Sequence, residues 1–238
     1  MALILNLETA TTVCSVSLAR DGKLIALKEI NGDYSHAENL TVFVEAVCKQ
    51  ASVSLADVDA IAVSKGPGSY TGLRIGVSTA KGLCYSLDKP LIAVDTLQYM
   101  AIAQKLIVNV TLSGVEGPQS SFFCPMIDAR RMEVYCALYD SQGNQIKETA
   151  AEIIDENSFA DLLSKHTIYF FGDGSAKCKE TFSNNSNAVF IDDVVPSAKN
   201  MITFSEQAYN SKQFEDVAYF EPFYLKDFVA GKKKGEYI

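Results

Sequence analysis

LILNLETATTVCSVSLARDGKLIALKEI, residues 3–30, is the stretch on which the fold turns. Leu3–Leu7, Val13–Ala19 and Leu24–Ile30 are three strand-like segments with no room for a helix between them. Arg20-Asp21-Gly22 separates the last two, and an Asp-Gly pair between apolar runs is a hairpin signal. The reading is an antiparallel meander. Downstream, Ser35-His36-Ala37-Glu38 has capping-box spacing ahead of a helix whose Leu40, Phe43, Val44, Val47, Cys48 and Ala51 share one face. A buried strand at Val58–Ser64, a Gly-rich loop, a helix from about Thr71 to Leu87, a strand at Leu91–Val94 and a helical stretch from Leu97 follow. The order is βββαβαβα.

Asn109–Ser120, with Ser113-Gly114 and Gly117-Pro118, reads as a loop, and a second series starts beyond it. Strand candidates at Phe122–Asp128 and Met132–Tyr139 lead to a turn at Asp140–Asn144, and a third apolar segment surrounds Ile153-Ile154. Helical residues near Phe159–Leu163, a strand at Ile168–Phe171 and a Gly172-Asp173-Gly174 turn come next, then a strand at Ala188–Ile191 and a helix near Ala198–Tyr209. Leu7-Glu8-Thr9 lies over Ile127-Asp128-Ala129, and Cys14, Val16 and Leu18 lie over Val134, Cys136 and Leu138. Any two half-buried strands alternate in this way, but the order of the whole series also recurs. The expectation is therefore an α/β chain of two lobes, 1–108 and 109–238, each a βββαβα unit. Two such lobes make the duplicated ribonuclease H-like fold of the actin-like, sugar-kinase and Hsp70 superfamily.

Composition bounds the function. The 238 residues exceed the usual single-core size of about 100–200, and 48% hydrophobic content is too high for a disordered chain. A net charge of −8 disfavours stand-alone nucleic-acid binding. The start, Met1–Asn6, has neither a basic region nor an apolar span, so a cytoplasmic protein with no membrane contact is expected. The six cysteines form no C-x-x-C pair and read as reduced small hydrophobes. Only His36 and His166 are present, too few for a site built mainly on imidazole. Glu8 and Asp128, one after each lobe's first strand, form a candidate carboxylate pair across a cleft. The bland reading of that pair is two solvated or hydrogen-bonded side chains.

Lys65-Gly66-Pro67-Gly68-Ser69-Tyr70-Thr71-Gly72-Leu73-Arg74-Ile75-Gly76 invites a phosphate reading, because free N–H groups at a helix start bind anions. It lacks the G-K-[ST] ending of a P-loop and is one residue longer than the dinucleotide fingerprint. The helix after it is more informative. At about 100° per residue, Leu73, Val77, Ala80, Cys84 and Leu87 form a core stripe, and Arg74, Lys81 and Tyr85 a solvent-facing one. The third face holds Gly72, Gly76, Thr79, Gly82 and Ser86, with Ile75 and Leu83 among them. Each interior glycine weakens a helix by about 1 kcal/mol relative to alanine, so such a face implies close approach by another backbone. A neighbouring helix of the same chain would satisfy this; an intermolecular contact is the reading adopted.

The chain resembles TsaB, the tRNA threonylcarbamoyladenosine biosynthesis family. The resemblance rests on Leu3-Ile4-Leu5-Asn6-Leu7-Glu8-Thr9-Ala10, on Ser35-His36-Ala37-Glu38-Asn39-Leu40 and above all on the run from Gly66 to Gly76. Weaker echoes are Ile127–Tyr135 and Glu221–Asp227. It implies a degenerate, non-catalytic relative of TsaD, the subunit that transfers threonylcarbamoyl to adenosine 37 of tRNA. It also implies a heterodimer with TsaD, a homodimer when alone, a TsaE-like ATPase as further partner, tRNA met only indirectly, and no cofactor. The family's pairing helices correspond to those from Ser35 and Thr71. The expected partner-binding residues are Gly68, Ser69, Tyr70, Thr71, Gly72, Ile75, Gly76, Thr79, Gly82 and Leu83, with His36 and Leu40, and Gly76→Leu is the variant expected to abolish pairing.

The departures matter too. Glu8-Thr9-Ala10 stands where the family commonly has Asp-Thr-Ser, and Lys226 where arginine is typical. Neither first-strand turn contains the glycine that lets amides approach phosphate in active actin-like ATPases, which disfavours the alternative of an autonomous ATP-dependent phosphotransferase. TsaD-like proteins bind metal through His-x-x-x-His, whereas Leu40 lies four residues after His36; a peptidase ranks last. Lys232-Lys233-Lys234 reads as a solvated tail, with contact to tRNA phosphate in an assembled complex as the alternative.

Overall fold

The computed structural model describes residues 2–32, 36–112 and 121–226. Its elements run β1 Leu3–Glu8, β2 Val13–Arg20, β3 Lys23–Asn31, α1 His36–Ala51, β4 Ala60–Gly66, α2 Tyr70–Leu87, β5 Leu91–Asp95 and α3 Thr96–Leu112. They continue as β6 Ser121–Asp128, β7 Glu133–Tyr139, β8 Gln145–Ile153, α4 Ala160–Leu163, β9 Thr167–Phe171, β10 Ala188–Ile191 and α5 Ile202–Asn210, with a 3₁₀ turn at Ala198–Met201 leading into α5. Asp21 and Gly22 take positive φ of 51° and 71° and close the β2–β3 hairpin as their residue types direct.

Two five-stranded sheets result, ordered β3-β2-β1-β4-β5 and β8-β7-β6-β9-β10. In each, the first three strands are antiparallel and the last two join them in parallel. The topology is thus repeated, and the chain has the duplicated actin-like fold expected of it. Period-two alternation along β1 feeds two cores. Leu5 and Leu7 pack with Leu40, Val44, Val47 and Val77 under α1 and α2. Ile4 packs on the opposite side with Ile92, Leu97, Tyr99, Phe123, Tyr139, Phe171 and Met201, a core drawn from both sheets. A third cluster, including Met126, Leu138, Ile168, Phe170 and Phe182, fills the second lobe.

Three departures from the sequence reading concern the connections. α3 continues through Asn109 to Leu112, across the expected 108/109 boundary and up to the Ser113-Gly114 turn signal. Beyond α5 the chain returns to the first sheet: Glu215 N–H donates to Leu91 C=O at 2.9 Å and Phe223 N–H to Lys65 C=O at 2.7 Å. Val217 and Phe220 join the core under α1 and α2. Residues 215–224 therefore form a strap on the first lobe, although they fall within the second lobe's expected range. The 3₁₀ turn before α5 is also tied to the first sheet, through Ala198 N–H to Ser15 Oγ at 3.0 Å and Ser17 Oγ to Ala198 C=O at 3.0 Å.

The Ser35 cap, the 113–120 part of the expected loop, and Lys232, Lys233 and Lys234 lie outside the described residues. Among those described, no helix is long and apolar enough to cross a membrane.

Candidate pairing surface

Ser69 caps α2, its Oγ accepting from Gly72 N–H at 3.3 Å. Its own N–H donates to Ala10 C=O at 2.7 Å, which draws the helix start onto the end of β1. A Cβ at Gly68 would lie 2.3 Å from Ala10 O, one at Gly72 2.2 Å from Thr9 O, and one at Gly76 2.2 Å from Thr9 Oγ1. What these glycines admit is therefore the chain's own segment, the backbone of Thr9 and Ala10 and the Thr9 side chain, neither a second molecule nor a neighbouring helix. The stripe was legible in the sequence, but a stripe does not say what covers it.

The expected contact set divides accordingly. Gly72 and Gly76 are buried and unavailable to a partner. His36, 1% exposed, has Nε2 2.8 Å from Thr11 C=O, and burial pushes its imidazole below the ordinary histidine range, so it sits neutral in the interior. Leu40 belongs to the core. Both lie beneath the surface, His36 held at Thr11 and Leu40 packed in the core. Gly68 is half-buried against Ala10. Thr71 and Gly82 are exposed, and Ser69, Tyr70, Ile75, Thr79 and Leu83 half-buried, along the outward side of α2. Gly82 alone of the α2 glycines has nothing within 4 Å of a built Cβ.

Two hollows mark this side. One, about 480 Å³, lies between α1 and the later part of α2, lined by the apolar Val44, Cys48, Val53, Leu55 and Leu83 and by Thr41, Glu45 and Lys49. The other, about 510 Å³, lies between the starts of the helices, lined by Ala37, Tyr70, Thr71, Arg74, Ile75, Ser78 and Thr79. Arg74 is fixed at its edge, donating to the Tyr70 hydroxyl at 3.0 Å with its guanidinium 5.3 Å from the ring centroid. Val42 on α1 and Tyr85 on α2 are 56% and 87% exposed.

The sequence reading included α1 through His36 and Leu40 but did not name Val42, which is apolar yet off the core stripe and exposed. It also took Lys81 as solvent-facing. Lys81 Nζ instead donates to Ala218 C=O at 3.1 Å and Phe220 C=O at 3.0 Å, fastening the strap to α2.

The other candidate chemistry is closed locally. Glu8 is fully buried, accepting from the Tyr99 hydroxyl and from Ala10 N–H at 2.5 Å. Burial pushes its carboxyl above the usual carboxylate range, against the lowering effect of those hydrogen bonds. Asp128 is exposed and ion-paired with Lys177. Each carboxylate is thus engaged within its own lobe. The Ser69 and Gly72 amides are spent on Ala10 and Ser69, leaving neither to receive phosphate. Among the described residues no group of three or more His, Cys, Asp or Glu is arranged to hold a metal ion. All six cysteines are buried and unpaired.

The family model described as TsaD, tRNA N6-adenosine threonylcarbamoyltransferase, matches residues 32–234. The tRNA threonylcarbamoyladenosine biosynthesis protein TsaB of Escherichia coli strain K12 is 33% identical over 239 aligned residues, covering 97% of each chain. The protein of the same name from Haemophilus influenzae is 27% identical, covering 97% of this chain and 96% of its own. Among solved structures, YeaZ from Pseudomonas aeruginosa superposes with a TM-score of 0.75 at 24% identity, over 94% of this chain and all of the other, which shows a shared fold.

Proposed function

This chain belongs to the TsaB family of tRNA threonylcarbamoyladenosine biosynthesis proteins, and on that premise we propose how it works: as the non-catalytic partner and activator of a TsaD-like subunit that transfers threonylcarbamoyl to adenosine 37 of tRNA. The observation that carries the reading is 33% identity to a TsaB across 97% of both chains. The closed turns support it, since Glu8 is buried and hydrogen-bonded and the Ser69 and Gly72 amides are spent within the chain. A molecule with these turns sealed acts by being held.

The holding surface, in this reading, is the outward side of α1 and α2: Tyr70, Thr71, Ile75, Thr79, Gly82 and Leu83, together with Arg74 and the apolar hollow between the helices. Gly68, Gly72, Gly76, His36 and Leu40 shape it from beneath. The same face makes a homodimer of the isolated chain, a TsaE-like ATPase joins the assembled pair, and tRNA is delivered by the catalytic subunit.

Gly76→Leu cannot test this surface, because its side chain would collide with Thr9 inside the fold. Gly82→Arg can, having open space around its Cβ. It is expected to keep the wild-type melting temperature and circular dichroism while weakening binding to the TsaD-like subunit about 30-fold or more in titration calorimetry, as loss of a central interface contact does. Undiminished affinity would remove α2 from the interface. The rival reading, an autonomous phosphotransferase, requires Mg²⁺-dependent ATP turnover by the isolated chain; none is expected.

A further inference from the structure

With 21 Lys and Arg against 29 Asp and Glu, the chain as a whole repels polyanions. The β6–β7 turn departs from that background. Arg130 and Arg131 are consecutive, exposed and left-handed, at φ 70° and 49°. Neither has an ion-pair partner among the described residues. The β2–β3 turn uses the same two left-handed conformations and fills them with Asp21-Gly22, residues that favour them. The β6–β7 turn fills them with arginines, which do not.

Closing the turn does not call for arginine. Arg130 contributes backbone to it, its N–H donating to Asp128 Oδ1 at 3.0 Å and its C=O accepting from Glu133 N–H at 3.1 Å, and any residue would supply those groups. The neighbouring cations are already engaged: Lys177 pairs with Asp128, and Lys226 with Glu133. Asp173 accepts from Asp128 N–H at 3.2 Å. The two guanidinium groups are therefore the cations of this corner without an ion-pair partner. The corner lies at the carboxyl end of β6, beside the carboxyl end of its parallel neighbour β9, and the space beyond such strand ends is where sheets of this kind take ligands.

We propose that Arg130 and Arg131 are a contact site for the phosphodiester backbone of RNA, engaged once the catalytic partner holds the tRNA. The site rests on the pairing function proposed above. A guanidinium fork matches two phosphate oxygens, and two adjacent forks reach neighbouring phosphates of one strand. The acidic remainder of the chain keeps this contact too weak to capture RNA alone, which suits a substrate brought by a partner.

The test is Arg130→Asn/Arg131→Gly, which gives the turn the residue types it favours, so that any loss of binding is not a loss of fold. Three measurements are made on the full chain: its melting temperature, its affinity for the TsaD-like subunit, and the affinity of the assembled complex for a tRNA transcript carrying adenosine 37, across a series of salt concentrations. The expected result is a melting temperature equal to or above wild type and unchanged pairing. RNA affinity falls about tenfold, and the plot of log affinity against log salt is shallower by about one to two units. Arg130→Lys/Arg131→Lys retains most of the slope. Unchanged RNA affinity and slope with intact pairing overturns the site and leaves the pairing function standing. Failure of the wild-type chain to pair overturns the function beneath it. Loss confined to binding of the ATPase partner assigns the arginines to an acidic protein surface and overturns the RNA contact.

Discussion

Glu8 shows what one buried side chain can do. Its carboxyl is held above its ordinary value of 4.5 chiefly by burial. The folded chain therefore keeps a proton that the unfolded chain has released at the same pH. Stability must fall as pH rises from the unfolded value through the folded one, by up to about 1.4 kcal/mol per pH unit. Glu8→Gln is isosteric, and its amide can still face Tyr99 and Ala10 while carrying no charge. Chemical denaturation of the two proteins between pH 4 and pH 8 is expected to show the variant gaining on wild type as pH rises; parallel curves would mean that Glu8 is ionised in the fold. That Glu8 was notable was legible, since it sits one residue beyond an apolar strand run. That it faces Tyr99 was not, because the two are 91 residues apart and meet only when α3 lies over the sheet. The glycines have the same lesson: Gly72 and Gly76 announced a close approach, but only the fold reveals Thr9 as the neighbour.

At the scale of elements, periodicity located most helices and strands, but not β8, which runs Gln145–Ile153 where the reading had only an apolar segment around Ile153-Ile154. α2 begins one residue before its expected start and ends at Leu87 as expected, and β10 runs Ala188–Ile191 in both readings. The strap escaped because it is held mainly by backbone groups, which leave no pattern of residue types. Its fastening to α2 is the Lys81 ammonium, bonded to two carbonyls. Hydrogen bonds to charged groups contribute about 1.5–3 kcal/mol, discounted here because the ammonium is partly exposed. Lys81→Met keeps the aliphatic stem and removes the donor, so a loss of about 1 kcal/mol is expected. Hydrogen exchange is the sharper measurement: the Glu215 and Phe223 amides should exchange faster, with β1 and β4 amides unaffected. Equal protection in variant and wild type would show the strap to be held by Val217 and Phe220 alone.

The whole molecule is two copies of one topology sharing an interior. Ile4, Ala62 and Ile92 of the first sheet and Phe123, Tyr139 and Phe171 of the second belong to a single buried cluster. Neither sheet can expose that face without uncovering the other's. A single calorimetric transition is therefore expected, with calorimetric and van't Hoff enthalpies in agreement; two resolved transitions would make the lobes independent. Duplication was visible in the sequence because strand order and alternation recur. The shared interior was not, because nothing in a period of two says which sheet lies opposite.

The strap also bears on how the chain is made. Leu91 and Lys65 receive their last hydrogen bonds from Glu215 and Phe223, so the first half of the polypeptide, though first to leave the ribosome, waits for residues more than a hundred positions later before its edge strand is covered. Until then a nascent molecule presents an open edge of the kind that invites pairing with another chain. Slow translation of the second half would lengthen that exposure, and premature termination would make it permanent.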